Sequence, residues 1–200
     1  CLVGSEMCIR DRGTSKINGG AHFWKRSGTT WSQISYGAVT QSSNGGSGHV
    51  RCNRDCSIAV VNTRPSTEGV GFTVFTRSGD TWSSEITTSN SGASRVVDIS
   101  DDGTTIVTGD YSGSIPDGNV VVWTTNDNGA SWSKQQELIG YGPGSGSSLS
   151  GHLDDERAGA DVRLSKDGNK LIVGASYYNS NAGKAYLYTR SGTTWTETGN

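Results

Sequence analysis

The sequence predicts an all-β protein: a partial β-propeller of four-stranded antiparallel blades, about three full blades plus a half. Three observations predict it. A polar, Gly-centred turn closed by a Trp occurs four times, at residues 25–31, 76–82, 124–132 and 189–195. Such a turn between an aromatic strand and a Trp is a hairpin signal, and its recurrence marks an array of small sheets. Apolar residues come in short runs, the longest of four, such as 58–61 and 120–123. No stretch keeps a helical period over three turns, so no helix is expected between Val50 and Trp195. Finally, third strands such as 72–75 and 120–123 are apolar on both faces, which places each sheet between two others.

Taken in order, the chain divides into units at 13–35, 48–88, 93–138 and 158–200, with a loop insertion at 140–157. The first unit reads as a second half only, with the strand Ala21-His22-Phe23-Trp24, a turn and Trp31. The second opens on Val50-Arg51-Cys52, turns at Asn53-Arg54-Asp55 and returns along 58–61. The third opens on Val97-Asp98-Ile99 and turns at Asp101-Asp102-Gly103, where Asp-Gly supplies the positive φ of a tight hairpin. The fourth opens on Val162-Arg163-Leu164, turns at Asp167-Gly168 and closes at Trp195. The interval from first-strand Val to closing Trp is nearly constant across the three full units (Val50 to Trp82, Val97 to Trp132, Val162 to Trp195). Four short strands per unit suit a propeller blade.

Residues 1–12 lack this turn chemistry and alternation. They resemble translated sequencing adapter and are set aside from the fold, so the natural chain is expected to begin upstream, any signal peptide being missing. The end at Asn200 falls just after a repeat's Trp, and a cut is expected there too. Two hundred residues suffice for one domain with a core. No apolar run approaches the roughly 20 residues of a membrane helix, so no membrane span is expected in this fragment. A formal net charge of −2 without any Lys/Arg run excludes nucleic acid as an expected partner.

Two resemblances follow from the motifs. Ala158-Gly159, Asp167-Gly168, Gly174-Ala175-Ser176 and Gly183 before 185–188 make the last unit similar to the FG-GAP repeat of integrin-α-like propellers, with that family's Phe and Pro both replaced. Thr125 to Trp132 resembles the Asp-box of sialidases and related propellers. In that family the box is a surface hairpin away from the catalytic centre, so it implies blades and not sugar cleavage.

No catalytic residue is assigned. The integrin-like resemblance raises calcium, for which Asn126, Asp127 and Asn128 are the nearest approach to a ligand loop, although a hairpin turn explains them equally. The insertion carries the acidic group Asp154, Asp155, Glu156 and Arg157, either a candidate binding loop or a solvated spacer. Cys52 and Cys56 are spaced for a hairpin disulfide, with a buried and a spare thiol as the alternative. His22, His49 and His152 have no metal-ligand spacing. Arg26, Arg77 and Arg190 recur beside the aromatic strand, which points to a structural cation–ring or cross-strand role.

The expected function, resting on family analogy, is a non-catalytic repeat domain for protein or glycan binding at a cell surface or outside the cell, without a cofactor. A sialidase-like glycoside hydrolase is the first rival and a structural array in a larger secreted or viral surface protein the second. The hydrolase would bring arginines and carboxylates together at the propeller axis, and Arg51, Arg95, Arg163, Asp98 and Asp161 are the residues whose convergence would favour an enzyme.

Overall fold

A computed structural model describes residues 2–3, 6–11, 18–40, 49–62, 70–88, 94–111, 118–139 and 158–199. These fold into four antiparallel sheets, each with four strands in chain order. The first holds β1 (Leu2–Val3), β2 (Glu6–Asp11), β3 (Asn18–Ser27) and β4 (Thr30–Thr40). In the second are β5 (Val50–Cys52), β6 (Ile58–Asn62), β7 (Val70–Ser78) and β8 (Thr81–Thr88). The third comprises β9 (Val96–Ile99), β10 (Thr105–Asp110), β11 (Asn119–Thr124) and β12 (Ser133–Ile139). The fourth comprises β13 (Ala158–Leu164), β14 (Lys170–Ala175), β15 (Lys184–Ser191) and β16 (Thr194–Gly199). This is the all-β architecture of propeller blades.

Two differences from the sequence reading concern the elements. The segment set aside at 1–12 supplies β1 and β2, and β2 pairs with β3 from Glu6↔Lys25 to Asp11↔Gly20. It stands where the first half of a blade belongs. Between β14 and β15 the chain makes one irregular turn, α1 (Tyr178–Asn181), where no helix was expected. Asn179 and Ser180 there have φ of 47° and 58°, so the turn is largely left-handed, and none of its residues is buried. No helix among the described residues is long and apolar enough to cross a membrane.

Alternation along each strand decides how the sheets stack. On β10, Ile106 packs backward with Ile58, Val60 and Phe72 of the second sheet, while Val107 packs forward with Val162 and Leu171 of the fourth. On β6, Ala59 and Val61 face the first sheet and Val60 the third. A thin sheet with apolar residues on both sides is stable only between two neighbours, and burial of each such side chain contributes about 1.5–3 kcal/mol.

The repeated Trp reinforces the stack, reaching back each time to the preceding sheet. Trp82 stacks on Phe23 at 4.0 Å between ring centroids. Trp132 meets Phe72 edge-on at 6.5 Å. Trp195 is buried, and its Nε1 donates to Gln135 Oε1 at 2.9 Å. Arg190 lies 5.5 Å over the Trp195 ring, a cation–ring contact of the kind the recurring arginines suggest.

Equivalent turns also bond across sheets. Arg54 N–H donates to Asp101 O at 3.1 Å, and Asp101 N–H donates to Lys166 O at 2.9 Å. These three residues hold the same place in three successive turns. The next-but-one position requires positive φ in each: 74° at Gly103, 64° at Gly168 and 52° at Cys56.

Phe72 is fully buried and touches both Trp123 and Trp132. Phe72→Ala should therefore lower unfolding free energy by about 3–5 kcal/mol in denaturant titration. A loss under about 1 kcal/mol would contradict this packing.

Candidate functional site

The first strands β5, β9 and β13 lie side by side at the inner edge of their sheets. Each is a Val–x–apolar triplet, Val50-Arg51-Cys52, Val97-Asp98-Ile99 and Val162-Arg163-Leu164. Because strand residues alternate, the two flanking apolar residues turn one way and the middle one the other. The repeat thus sets Arg51, Asp98 and Arg163 in one row.

Asp98 ties three blades together. Its Oδ1 lies 3.6 Å from Arg51 Nε on β5, and its Oδ2 accepts the Leu164 backbone N–H on β13 at 2.8 Å. Arg163 Nη1 donates to Asp161 Oδ1 at 2.7 Å. His49, immediately before β5 and half-buried, feels the charges of Arg51, Asp161 and Arg163. A hollow of about 160 Å³ opens beside Asp161, Arg163, Ile172 and Gly174.

Burial pushes the Asp98 carboxyl above its ordinary range, and the N–H groups of Leu164 and Ile99 with the two guanidiniums offset this only in part. Burial likewise pulls the His49 imidazole below its usual value; Arg51 pulls the same way, Asp161 opposes, and Arg163 adds to the lowering. A neutral imidazole near two guanidiniums pairs a proton acceptor with donors for a developing negative charge.

Arg51, Asp98, Asp161 and Arg163 come together. Arg95 does not: it pairs with Asp110 at 3.0 Å and lies 4.8 Å over the Tyr111 ring. His49 was missed, because a search for metal spacing has no reason to select it. Its signal was its place directly before the repeated Val. The acidic loop Asp154, Asp155, Glu156 and Arg157 lies outside the described residues.

Asp127, with Asn126 and Asn128 beside it, works inside its own hairpin. Its Oδ1 accepts Thr125 Oγ1–H at 2.6 Å and Ser131 N–H at 2.9 Å, and its Oδ2 accepts the Ser131 hydroxyl. Both Asp127 carboxylate oxygens thus accept hydrogen bonds within the hairpin. Among the described residues no group of three or more His, Cys, Asp or Glu is arranged to hold a metal. The Cys52 and Cys56 Sγ atoms lie 2.6 Å apart, with Cys56 standing where the other turns have Gly.

The comparisons with known proteins bear on the fold. No protein-family model matches the chain, and no curated protein matches it. Among solved structures it is similar to a periplasmic gluconolactonase from Pseudomonas aeruginosa, with TM-score 0.57, 16% identity, and coverage of 92% of this chain and 49% of that one. A putative 6-phosphogluconolactonase from Bacteroides uniformis gives TM-score 0.59 at 12% identity, covering 96% and 54%. TolB from Acinetobacter baumannii gives 0.53 at 10%, covering 96% and 40%. The chain thus spans about half the length of the structures it matches. These likenesses carry the propeller-type fold. They also correct the expectation of a non-catalytic binding domain: it rested on an analogy to integrin-like repeats, and structures matched over nearly the whole chain are named as lactonases.

The turn carboxylates predict an acid response. Hydroxyl and backbone donors from Ser57 hold Asp55 low, those from Ser165 and Asn169 hold Asp167 low, and Ser131 with Thr125 holds Asp127 down to about 2. At Asp102 burial opposes ionisation, but Ser100 and Thr104 outweigh it and the group is again lowered. Groups depressed on folding contribute stability above their ordinary value of 3.8 and lose it as pH falls through their folded values. The melting temperature should therefore drop from about pH 4 downward, and Asp102→Asn should flatten part of that drop. A melting temperature unchanged between pH 4 and 2 would contradict these turn bonds.

Proposed function

We propose that this chain forms part of a propeller hydrolase that opens a cyclic ester, with the axial cluster as its site. The observation that carries this reading is the meeting of His49, Arg51, Asp98, Asp161 and Arg163 from three successive blades. The likeness to proteins named as gluconolactonases supports the substrate class.

In this mechanism water adds to the lactone carbonyl carbon while His49 accepts its proton. Arg51 and Arg163 stabilise the oxyanion. The ring C–O bond then breaks, His49 returns the proton to the leaving ring oxygen, and the new carboxylic acid ionises. Asp98 positions Arg51 and anchors β13 through Leu164; Asp161 orients Arg163. Asp154, Asp155, Glu156 and Arg157 precede β13 and are candidate contacts at the rim. The FG-GAP-like Asp167-Gly168 and the Asp-box-like 125–132 serve in this reading as blade-building turns.

Acid release from gluconolactone, followed at constant pH above the water background, tests the proposal. His49→Gln should cost at least about 100-fold in rate, and Arg163→Ala a similar amount. Because His49 acts as the neutral base and its pKa is lowered, the acid limb of the rate profile should lie below 6.5. No acid above background, or a full rate in His49→Gln, would refute it.

We also propose that Cys52 and Cys56 form a disulfide across their turn, as suits a protein working outside the cytoplasm. The protein named as periplasmic among the matched structures supports that location. The unit boundaries 13–35, 48–88, 93–138 and 158–200, with residues 1–12 foreign to the natural chain, belong to the same proposal. Peptide mapping of unreduced protein should recover the 52–56 peptide lighter by two hydrogens and inert to alkylation. Alkylation of both thiols before reduction would contradict the bond.

A further inference from the structure

We infer that Asn62 is a positioning residue: its side-chain amide clasps the backbone of His49 to the following blade and so sets where the imidazole stands. The inference rests on the lactone-opening reading for what the imidazole does, whereas the placement is read from the contacts alone.

The repeat shows that this position is unusual. Val61, Thr108 and Val173 stand opposite the repeated Val50, Val97 and Val162. The next residues along these second strands are Asn62, Gly109 and Gly174. Gly109 pairs with Val96 and Gly174 with Asp161, and in the same way Asn62 N–H donates to His49 O at 3.2 Å. Two of the three blades therefore have no side chain where the blade carrying His49 has a carboxamide. At Gly109 the reason is space: a Cβ there would lie 2.7 Å from Gly159 O on the following blade. Counted back from the repeated Val, Gly159 corresponds to Ser94. Between the second and third blades that same gap holds the Asn62 side chain.

Asn62 is fully buried. Its Oδ1 accepts the His49 N–H at 3.0 Å, and its Nδ2 donates to Ser94 O at 3.2 Å and to Arg95 O. Both ends of the amide are used, as burial of a carboxamide demands. The far side of the clasp is itself anchored. Arg95 N–H donates to Gly109 O at 2.8 Å, and its guanidinium pairs with the buried Asp110 at 3.0 Å. Arg95 leads directly into β9, which carries Asp98. One side chain thus fixes His49 relative to Asp98, and through Asp98 relative to Arg51 and β13. His49 stands just outside β5, where few ladder bonds would otherwise hold it. A base displaced by about 1 Å can lose as much as about 100-fold in rate.

Asn62→Gly gives the second blade the residue that its two successors have, so the fold should persist, with the β circular-dichroism signal as the check. Titration of the imidazole by NMR should show His49 moving up toward 6.5, because water enters beside it while Arg51, Asp161 and Arg163 still face it. The kcat for gluconolactone should fall about 10–100-fold with KM little changed. In a His49→Gln background Asn62→Gly should cost nothing further, because the amide acts through the imidazole. A mere spacer would lower the melting temperature and leave the titration and kcat as in wild type. An unmoved titration in folded Asn62→Gly, an unchanged kcat, or the full added loss in the double variant would each overturn the inference. If the wild-type protein releases no acid from gluconolactone, the lactone reading fails and the His49 titration alone decides the placement.

Discussion

A four-stranded sheet with apolar side chains on both sides has no stable existence alone, and that constraint organises this chain. Val60 and Val107 point forward from their sheets, Ala59 and Ile106 point backward, and none of them reaches solvent. The stack is therefore the core: among the described residues three clusters, each built from two successive sheets. The repeated Trp and the turn-to-turn hydrogen bonds add direction, because each blade reaches back to the one before it.

The same constraint creates the axial site. With the flanking residues of every first strand committed to the stack, only the middle position is free to vary. It carries Arg51, Asp98 and Arg163, and Asp98 spends its two oxygens on the blades either side. The proposed chemistry thus uses a position the fold does not need for packing, which is the usual way one fold hosts many functions.

The blade-building parts were legible in the sequence because turns announce themselves: Asp102-Gly103, Asp167-Gly168 and the Gly–Trp hairpins each have one local solution. What escaped was long-range. β1 and β2 carry no turn signal, and their pairing with β3 has no local motif behind it. Cys56 aligns in the sequence with the turn glycines Gly103 and Gly168 and adopts their positive φ, although side chains rarely do. His49 and the separation of Arg95 from the cluster depend on which strand edges meet, which spacing along the chain does not encode. The analogy to integrin-like repeats concerned turn motifs and said nothing of the axial residues, and the binding function drawn from it failed.

Native-state hydrogen exchange tests the stacking claim most directly. If neighbours stabilise one another, the amides of β6, β7, β10 and β11, in sheets covered on both sides, should exchange together, and only through global unfolding. If those four strands instead open separately, each at a free energy set by its own ladder, the sheets are self-sufficient and the account fails.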